Sequence, residues 1–250
     1  MTVDRHDKVG IQRELRLEWF ERAAAVYAAG FTKPAARQEL YSYLDKAVGF
    51  ATPPSEQSKT YIANALIKTW IAPEKELTAL RDAGHGLLNT NPVCRPAIHW
   101  ALLCAAYPFW FSVASSVGRL LNLQEQVTQA QIVLRLKEKY GERQTVIRRA
   151  RYVIRSFVAW GVLKDSEVKG CYEKVTPVCI TDYDLAVLLL EASLHATPGG
   201  KAALGLLLNN PAFFPFQLPV MTGDFVALRT GRIDVVRYGL DEELLKLKDN

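Results

Sequence analysis

TQAQIVLRLKEKYGERQTVIRRARYVIRSFVAWGVLKDSEVKGCYEKV, residues 128–175, is the stretch whose periodicity decides the fold. Apolar residues recur at helical spacing from Thr128 to about Tyr140, stop at Gly141, and resume from Thr145 to Trp160. Two short β-prone runs follow, Val162–Leu163 and Cys171–Val175, around a polar turn that closes at Gly170. The expected order is helix, turn, helix, hairpin.

The second helix divides cleanly into two faces. At about 100° per residue, with Arg148 as origin, Arg151, Tyr152 and Arg155 fall within about 60° of it, and Arg149 and Ser156 flank the same side. Val146, Ile147, Ala150, Val153, Ile154 and Phe157 group on the opposite side. A helix that enters the DNA major groove needs this division: neighbouring helices hold its apolar side while guanidinium groups reach phosphates or guanine edges. Charge points the same way. Arg135 to Arg155 holds eight Lys/Arg against Glu138 and Glu142, a local net of +6, whereas the whole chain is +5 and the remainder therefore nets −1. Such concentration is the electrostatic footprint of a polyanion site. Arg148, Arg151, Tyr152 and Arg155 are expected to face the groove, with Lys139, Arg143 and Arg149 on flanking phosphates. The hairpin carries Lys164, Lys169 and Lys174 against Asp165, Glu167 and Glu173, so it has no net charge, and Lys169 is its expected contact.

The exit from the second helix, Phe157-Val-Ala-Trp-Gly161-Val-Leu163, puts a glycine where the helix ends and an apolar pair where a strand starts. It resembles the helix-to-wing junction of the winged-helix superfamily, over residues 128–175 of the 250. A second resemblance rests on the helix containing Ser58-Lys-Thr60 through Leu66, on the run His99-Trp-Ala-Leu-Leu-Cys-Ala-Ala-Tyr-Pro-Phe-Trp110, and on the module that follows. In these the chain is similar to BrxA, the helical accessory protein of BREX phage-defence systems. That resemblance implies an all-helical protein with helix-turn-helix elements, DNA binding within a multi-gene defence complex, and no catalytic residues to carry over.

Composition sets the frame. With 49% apolar and 23% charged residues over 250 positions, the chain is an ordinary globular one with length enough for a sizeable core. Cys94, Cys104, Cys171 and Cys179 have neither CxxC spacing nor the density of a disulfide scaffold, which favours a reduced, cytoplasmic setting. MTVDRHDKVG at the N-terminus has no apolar run after its charges and does not read as a signal peptide. Ala97 to Val117 is free of charge between Arg95 and Arg119, the minimum length of a membrane span. Pro108 near its middle, together with His99, Ser112, Ser115 and Ser116, argues instead for two buried helices, about 97–107 and 108–121, and for no membrane.

The remainder reads as mainly α. Helices are expected over Ile11–Ala29, from Thr32-Lys-Pro34 with Leu40, Tyr43, Leu44 and Val48 inward, from Ser55 through Trp70, and from Pro73 to near Gly84. Residues 49–54 read as a linker, and 81–96 as a loop containing Gly84-His85-Gly86. After the hairpin, Thr181 or Asp182 caps a strongly apolar helix, Tyr183 to Ala196, and Pro198-Gly-Gly-Lys201 reads as an interhelix turn because it lacks the full phosphate-loop spacing. Phe213, Phe214 and Phe216 suit a packed connection. Phe225 to Tyr238 suggests a hairpin around Thr230-Gly231, and Asp241 a cap for a short final helix. The expected architecture is a helical N-terminal bundle (1–96), a central winged helix-turn-helix with a small hairpin wing (97–176), and a helical C-terminal extension with a small hairpin (177–250).

No GxSxG, complete P-loop, GxGxxG turn or HExxH is present, and His6, His85, His99 and His195 are scattered, so neither catalysis, a metal nor a cofactor is expected. The expected function is non-enzymatic binding of double-stranded DNA. The alternatives are a dimeric transcriptional regulator, for which a second copy of the chain is the partner, and a scaffold that uses the same module for protein contacts, including with other proteins of a defence complex.

Overall fold

The computed structural model describes residues 4–46, 54–90, 92–238 and 242–248, and its fold is mainly α-helical with three small sheets. A 3-10 turn at Arg5–Asp7 and an extended strap, residues 8–16, precede α1 (Leu17–Ala28). The helix expected from Ile11 thus starts six residues later, because Ile11 and Leu15 are buried by a strap drawn along another helix instead of by a turn of their own. α2 (Lys33–Asp45) follows, with Pro34 in its first turn and Leu40 and Leu44 buried; Val48 and most of the expected linker lie outside the described residues. α3 (Glu56–Leu66) is capped by Ser55, whose Oγ accepts the Ser58 N–H, and runs on as a π-helical turn, Ile67–Ile71.

A short 3-10 turn, Lys75–Leu77, leads into α4 (Thr78–Thr90), which corrects the loop expected at 81–96. Gly84 lies on the buried face of this helix, where a Cβ would come 3.3 Å from Ile98 and 3.4 Å from Leu102. The glycine that looked like a helix breaker is what lets α4 lie close against α5 (Arg95–Ala106). His85 packs edge-on to the Tyr27 ring at 5.1 Å. α5 meets α6 (Pro108–Leu121) at a bend of 117°, and among the described residues no single helix is long and apolar enough to cross a membrane.

The central stretch then forms in the expected order with one addition. β1 (Gln126–Thr128) leads into α7 (Gln129–Tyr140), whose Thr128 and Gln131 make a reciprocal capping box. α8 (Gln144–Ala159), β2 (Leu163–Asp165) and β3 (Cys171–Lys174) follow. β3 pairs antiparallel with both β2 and β1, so the sheet order is β1-β3-β2.

Beyond it lie β4 (Val178–Cys179), α9 (Tyr183–Ala196), which is capped by Asp182 and buried from Leu185 onward, β5 (Lys201–Ala203) and α10 (Leu204–Leu208). Thus Pro198 to Gly200 turns into a strand and not a helix. β6 (Phe216–Gln217) pairs parallel with β4. The hairpin expected over 225–238 is replaced by α11 (Gly223–Arg229) and β7 (Ile233–Tyr238), and the expected final helix by β8 (Glu242–Leu247). Glu-Glu-Leu-Leu-Lys-Leu favours a helix locally, yet β8 is the middle strand of β5-β8-β7, where ladders on both sides and a fully buried Leu245 outweigh propensity. The buried Glu191 of α9 accepts a bidentate pair from Arg232 at 2.7 and 2.8 Å, which fastens that sheet to the helix.

One cluster of buried side chains runs from Ile11 to Leu245, and each of the three expected segments contributes to it. At its centre Trp100 of α5 meets Trp110 of α6 at 5.4 Å, Phe157 of α8 and its C-cap Trp160 at 4.9 and 6.1 Å, and Phe214 and Phe216 at 5.8 Å each. The Trp100 indole N–H donates to the Ala212 carbonyl at 3.1 Å, whereas that of Trp110 is buried with no partner among the described residues. Trp100→Phe should therefore cost about 1 kcal/mol more in urea unfolding than Trp110→Phe, since only the former breaks a buried hydrogen bond; equal losses would show that the Ala212 contact contributes nothing.

A second buried knot joins α1, α5 and the π turn. His99 Nδ1 accepts the Trp70 indole N–H at 3.1 Å, its Nε2 lies 3.0 Å from Glu21 Oε1, and Arg95 forks onto the same carboxylate. Burial would raise the Glu21 carboxyl, but His99 and Arg95 outweigh it and hold it down to about 2. A depressed carboxyl stabilises the fold above its unfolded value of 4.5 and loses that contribution as pH falls toward 2. The stability gap between wild type and Glu21→Gln should accordingly be full at pH 6 and shrink through that window; a gap constant from pH 6 to 3 would rule the ion pair out.

Candidate nucleic-acid interface

α8 is held by contacts around most of its circumference. Val146, Ala150, Val153, Ile154 and Phe157 are buried beneath it, as its apolar periodicity requires. The strap occupies one flank. Leu15 N–H donates to Ser156 Oγ at 2.8 Å, the Trp160 indole N–H donates to Leu15 O at 3.0 Å, and Arg149 Nη1 reaches the carbonyls of Gly10 and Ile11 at 3.5 and 3.3 Å. A strap without helix or ladder bonds must find partners for its backbone groups elsewhere, and α8 supplies them. Gly10 itself packs on the Tyr107 ring, where a Cβ would stand 2.7 Å from the ring carbon.

This arrangement sorts the expected contact residues. Arg148 and Arg151 project from α8 into solvent and have no hydrogen-bond or ion-pair partner among the described residues. Gln144 and Thr145 are exposed beside them at the start of the helix. Arg155 is partly exposed and bridges to both oxygens of Asp165 in β2, at 2.6 and 2.9 Å, so its charge is offset within the chain; the Asp165 hydrogen bond raises its already high pKa. Tyr152 is half-buried under Arg13, whose guanidinium stands 5.7 Å from its ring.

Arg149 departs from its expected role on a phosphate: half-buried against the strap, it faces backbone carbonyls, and burial lowers its pKa. Arg143 folds back on the Tyr140 carbonyl at 3.1 and 2.8 Å and closes the C-terminus of α7. Lys139 turns to α6 and donates to Ser112 Oγ at 3.0 Å, apart from the α8 arginines. Burial lowers its pKa. Lys169 is exposed at the tip of the hairpin.

Two cations were missed in the sequence. A cleft of about 600 Å³ separates α8 from the strap and the start of α3, and Arg13 and Arg16 line it together with Arg151, Tyr152 and Arg155. Arg13 is positioned by the Tyr61 ring at 5.0 Å and by Ser58 Oγ at 3.0 Å. The signal lay in Gln12-Arg-Glu-Leu-Arg16, but its apolar spacing reads as helix, which turns these arginines away from α8. Among the described residues no three His, Cys, Asp or Glu side chains converge as a metal site would need, and the four cysteines are unpaired.

Compared with family models, curated proteins and solved structures, the chain has no match.

Ser156→Ala removes the acceptor of a buried backbone N–H and should cost about 1–3 kcal/mol. Trypsin should then cut at Arg13 and Arg16 faster than in wild type. Unchanged stability and unchanged cleavage would mean that the strap does not depend on this bond.

Proposed function

We propose that this protein binds double-stranded DNA without catalysing a reaction on it, by setting the outward face of α8 in the major groove. The observation that carries this reading is the state of Arg148 and Arg151: two exposed guanidinium groups one turn apart, free of acidic partners, on a helix whose other sides are fixed by core and strap. Guanidinium forks suit bidentate contacts to guanine edges or phosphates, and the helix that carries them is already held, so no helix ordering is left to be lost on binding. The order α6, β1, α7, α8, β2, β3 with a β1-β3-β2 sheet supports reading the module as a winged helix-turn-helix, in which the β2–β3 hairpin would be the wing, with Lys169 near the DNA backbone. Arg13 extends the basic surface on the other flank, where Arg16 pairs with Glu14 at 3.7 Å. A place among the accessory proteins of a phage-defence system is the biological setting that the resemblance to BrxA suggests for such an activity.

Salt-dependent titration of random-sequence duplex DNA tests it. Binding should fall steeply with salt, and Arg148→Ala/Arg151→Ala should weaken it while lowering the slope of log K against log salt by roughly two units, one per lost phosphate contact. Asp165→Asn should act oppositely, since it releases Arg155 to the DNA at little cost in stability for a partly exposed pair. No binding at low salt would sink the reading and shift attention to acidic protein partners; binding with an unaltered slope in the double variant would remove α8 from the interface.

A further inference from the structure

Three basic side chains from two helices turn into a second cleft, which involves no residue of α8. It measures about 480 Å³ and lies between α6 and α7, roofed by the end of α9 at residues 196–198. Ser115 and Arg119 stand one turn apart on α6, and Arg135 and Lys139 one turn apart on α7, so that two packed i, i+4 pairs form four corners of one opening. Arg119 and Arg135 have no hydrogen-bond or ion-pair partner among the described residues, and neither has the Ser115 hydroxyl. Lys139 is held at the cleft by Ser112 Oγ at 3.0 Å, where its ammonium stands 5.2 Å from the Tyr140 ring.

A solvated basic face would explain scattered cations, and the last turn of a helix favours them on its own account. Arg119 and Lys139 do sit in last turns. Arg135 is in mid-helix, where the dipole gives it no such reason, and it lines the same cleft. Among the described residues that line the cleft Glu138 is the one acidic side chain, so their charge nets +2, and Asp7 adds a carboxylate near Lys139. Two guanidinium forks and an ammonium are the donor set that matches the oxygens of a phosphate dianion, and the volume is that of a small-molecule site. Phe111 and Leu136 supply an apolar wall for an organic substituent.

The geometry points to a binding site for a small phosphate monoester between α6 and α7, with Arg119, Arg135 and Lys139 on the phosphate and Ser115 as an added donor. The site stands apart from the α8 surface and does not rest on the DNA-binding reading.

Calorimetric titration of the full chain with adenosine monophosphate, inorganic phosphate and adenosine, at matched ionic strength, tests it. Adenosine monophosphate should bind and adenosine should not. Affinity for inorganic phosphate equal to that for the ester would locate all recognition in the phosphate group, and weaker affinity would assign the wall to the organic part; both support the site. Arg119→Ala and Arg135→Ala replace accessible side chains and should each weaken binding about tenfold or more, with melting temperatures in ligand-free buffer unchanged. The Arg148→Ala/Arg151→Ala variant should bind adenosine monophosphate as wild type does. Absence of binding at millimolar phosphate and nucleotide overturns the proposal, as does binding indifferent to Arg119 and Arg135. If those variants lose duplex DNA instead, the cleft serves a nucleic-acid backbone and the small-molecule site is refuted.

Discussion

The ring packing around Trp100 is the constraint on which the rest of the structure depends. Its indole touches aromatic rings from α6, from α8 and from the connection at Phe214 and Phe216, while Phe20 of α1 reaches the same group through Trp160 at 5.6 Å. Edge-to-face pairs are worth about 0.5–1.5 kcal/mol each beyond the area they bury, and they fix angles as well as distances. Phe157 belongs to α8 and Trp160 caps its C-terminus, so the core determines the rotation of that helix about its own axis. Arg148 and Arg151 point outward because Phe157 and Trp160 cannot. Close backbone approach secures the same centre: Gly118 of α6 lies against Pro211, whose carbonyl oxygen would be 1.9 Å from any Cβ there.

The strap adds a second constraint, and it narrows what α8 can offer. An extended segment brings backbone groups that must be paired, and Ser156, Trp160 and Arg149 pair them. Arg149 thereby becomes a structural cation. Its adjacent position to Arg148 in the sequence hides a difference of roles, since about 100° of rotation separates a carbonyl-bound guanidinium from a solvent-facing one. In exchange the strap carries Arg13, together with Arg16 paired to Glu14, to the edge of the α8 face, so that flank keeps a net positive charge.

The central module was legible because its signals agree at every level. Thr128 and Gln131 cap a helix that the apolar period also predicts, Gly141 takes φ 80° where the chain must turn, and the two faces of α8 are separated in sequence as in space. β1 was not legible: Gln126-Val-Thr128 is too short a run for its alternation to mark a strand, and only pairing with β3 makes it one. Glu242 to Leu247 misled for a related reason, since its helix-forming residues are overruled by partners on both sides that no local window contains. Gly84 misled in the opposite way, as its role is to admit Ile98 and Leu102 and not to break a helix. The periodic face predicted that Arg148 and Arg151 are exposed, but not where Arg149, Arg143 and Lys139 end, because those ends are set by acceptors on the strap, on α7 and on α6.

The distribution of charge follows from these placements. The +6 that accumulates between Arg135 and Arg155 looks like one surface in sequence, yet folding divides it. Lys137 pairs with Glu142 at 3.5 Å, Arg155 with Asp165, and Arg149 with the strap. Arg148 and Arg151 are left to one surface; Arg135 and Lys139, joined by Arg119, are left to the α6–α7 cleft. One run of cations in the sequence thus becomes two separate basic patches in the fold, one on α8 and one in the α6–α7 cleft.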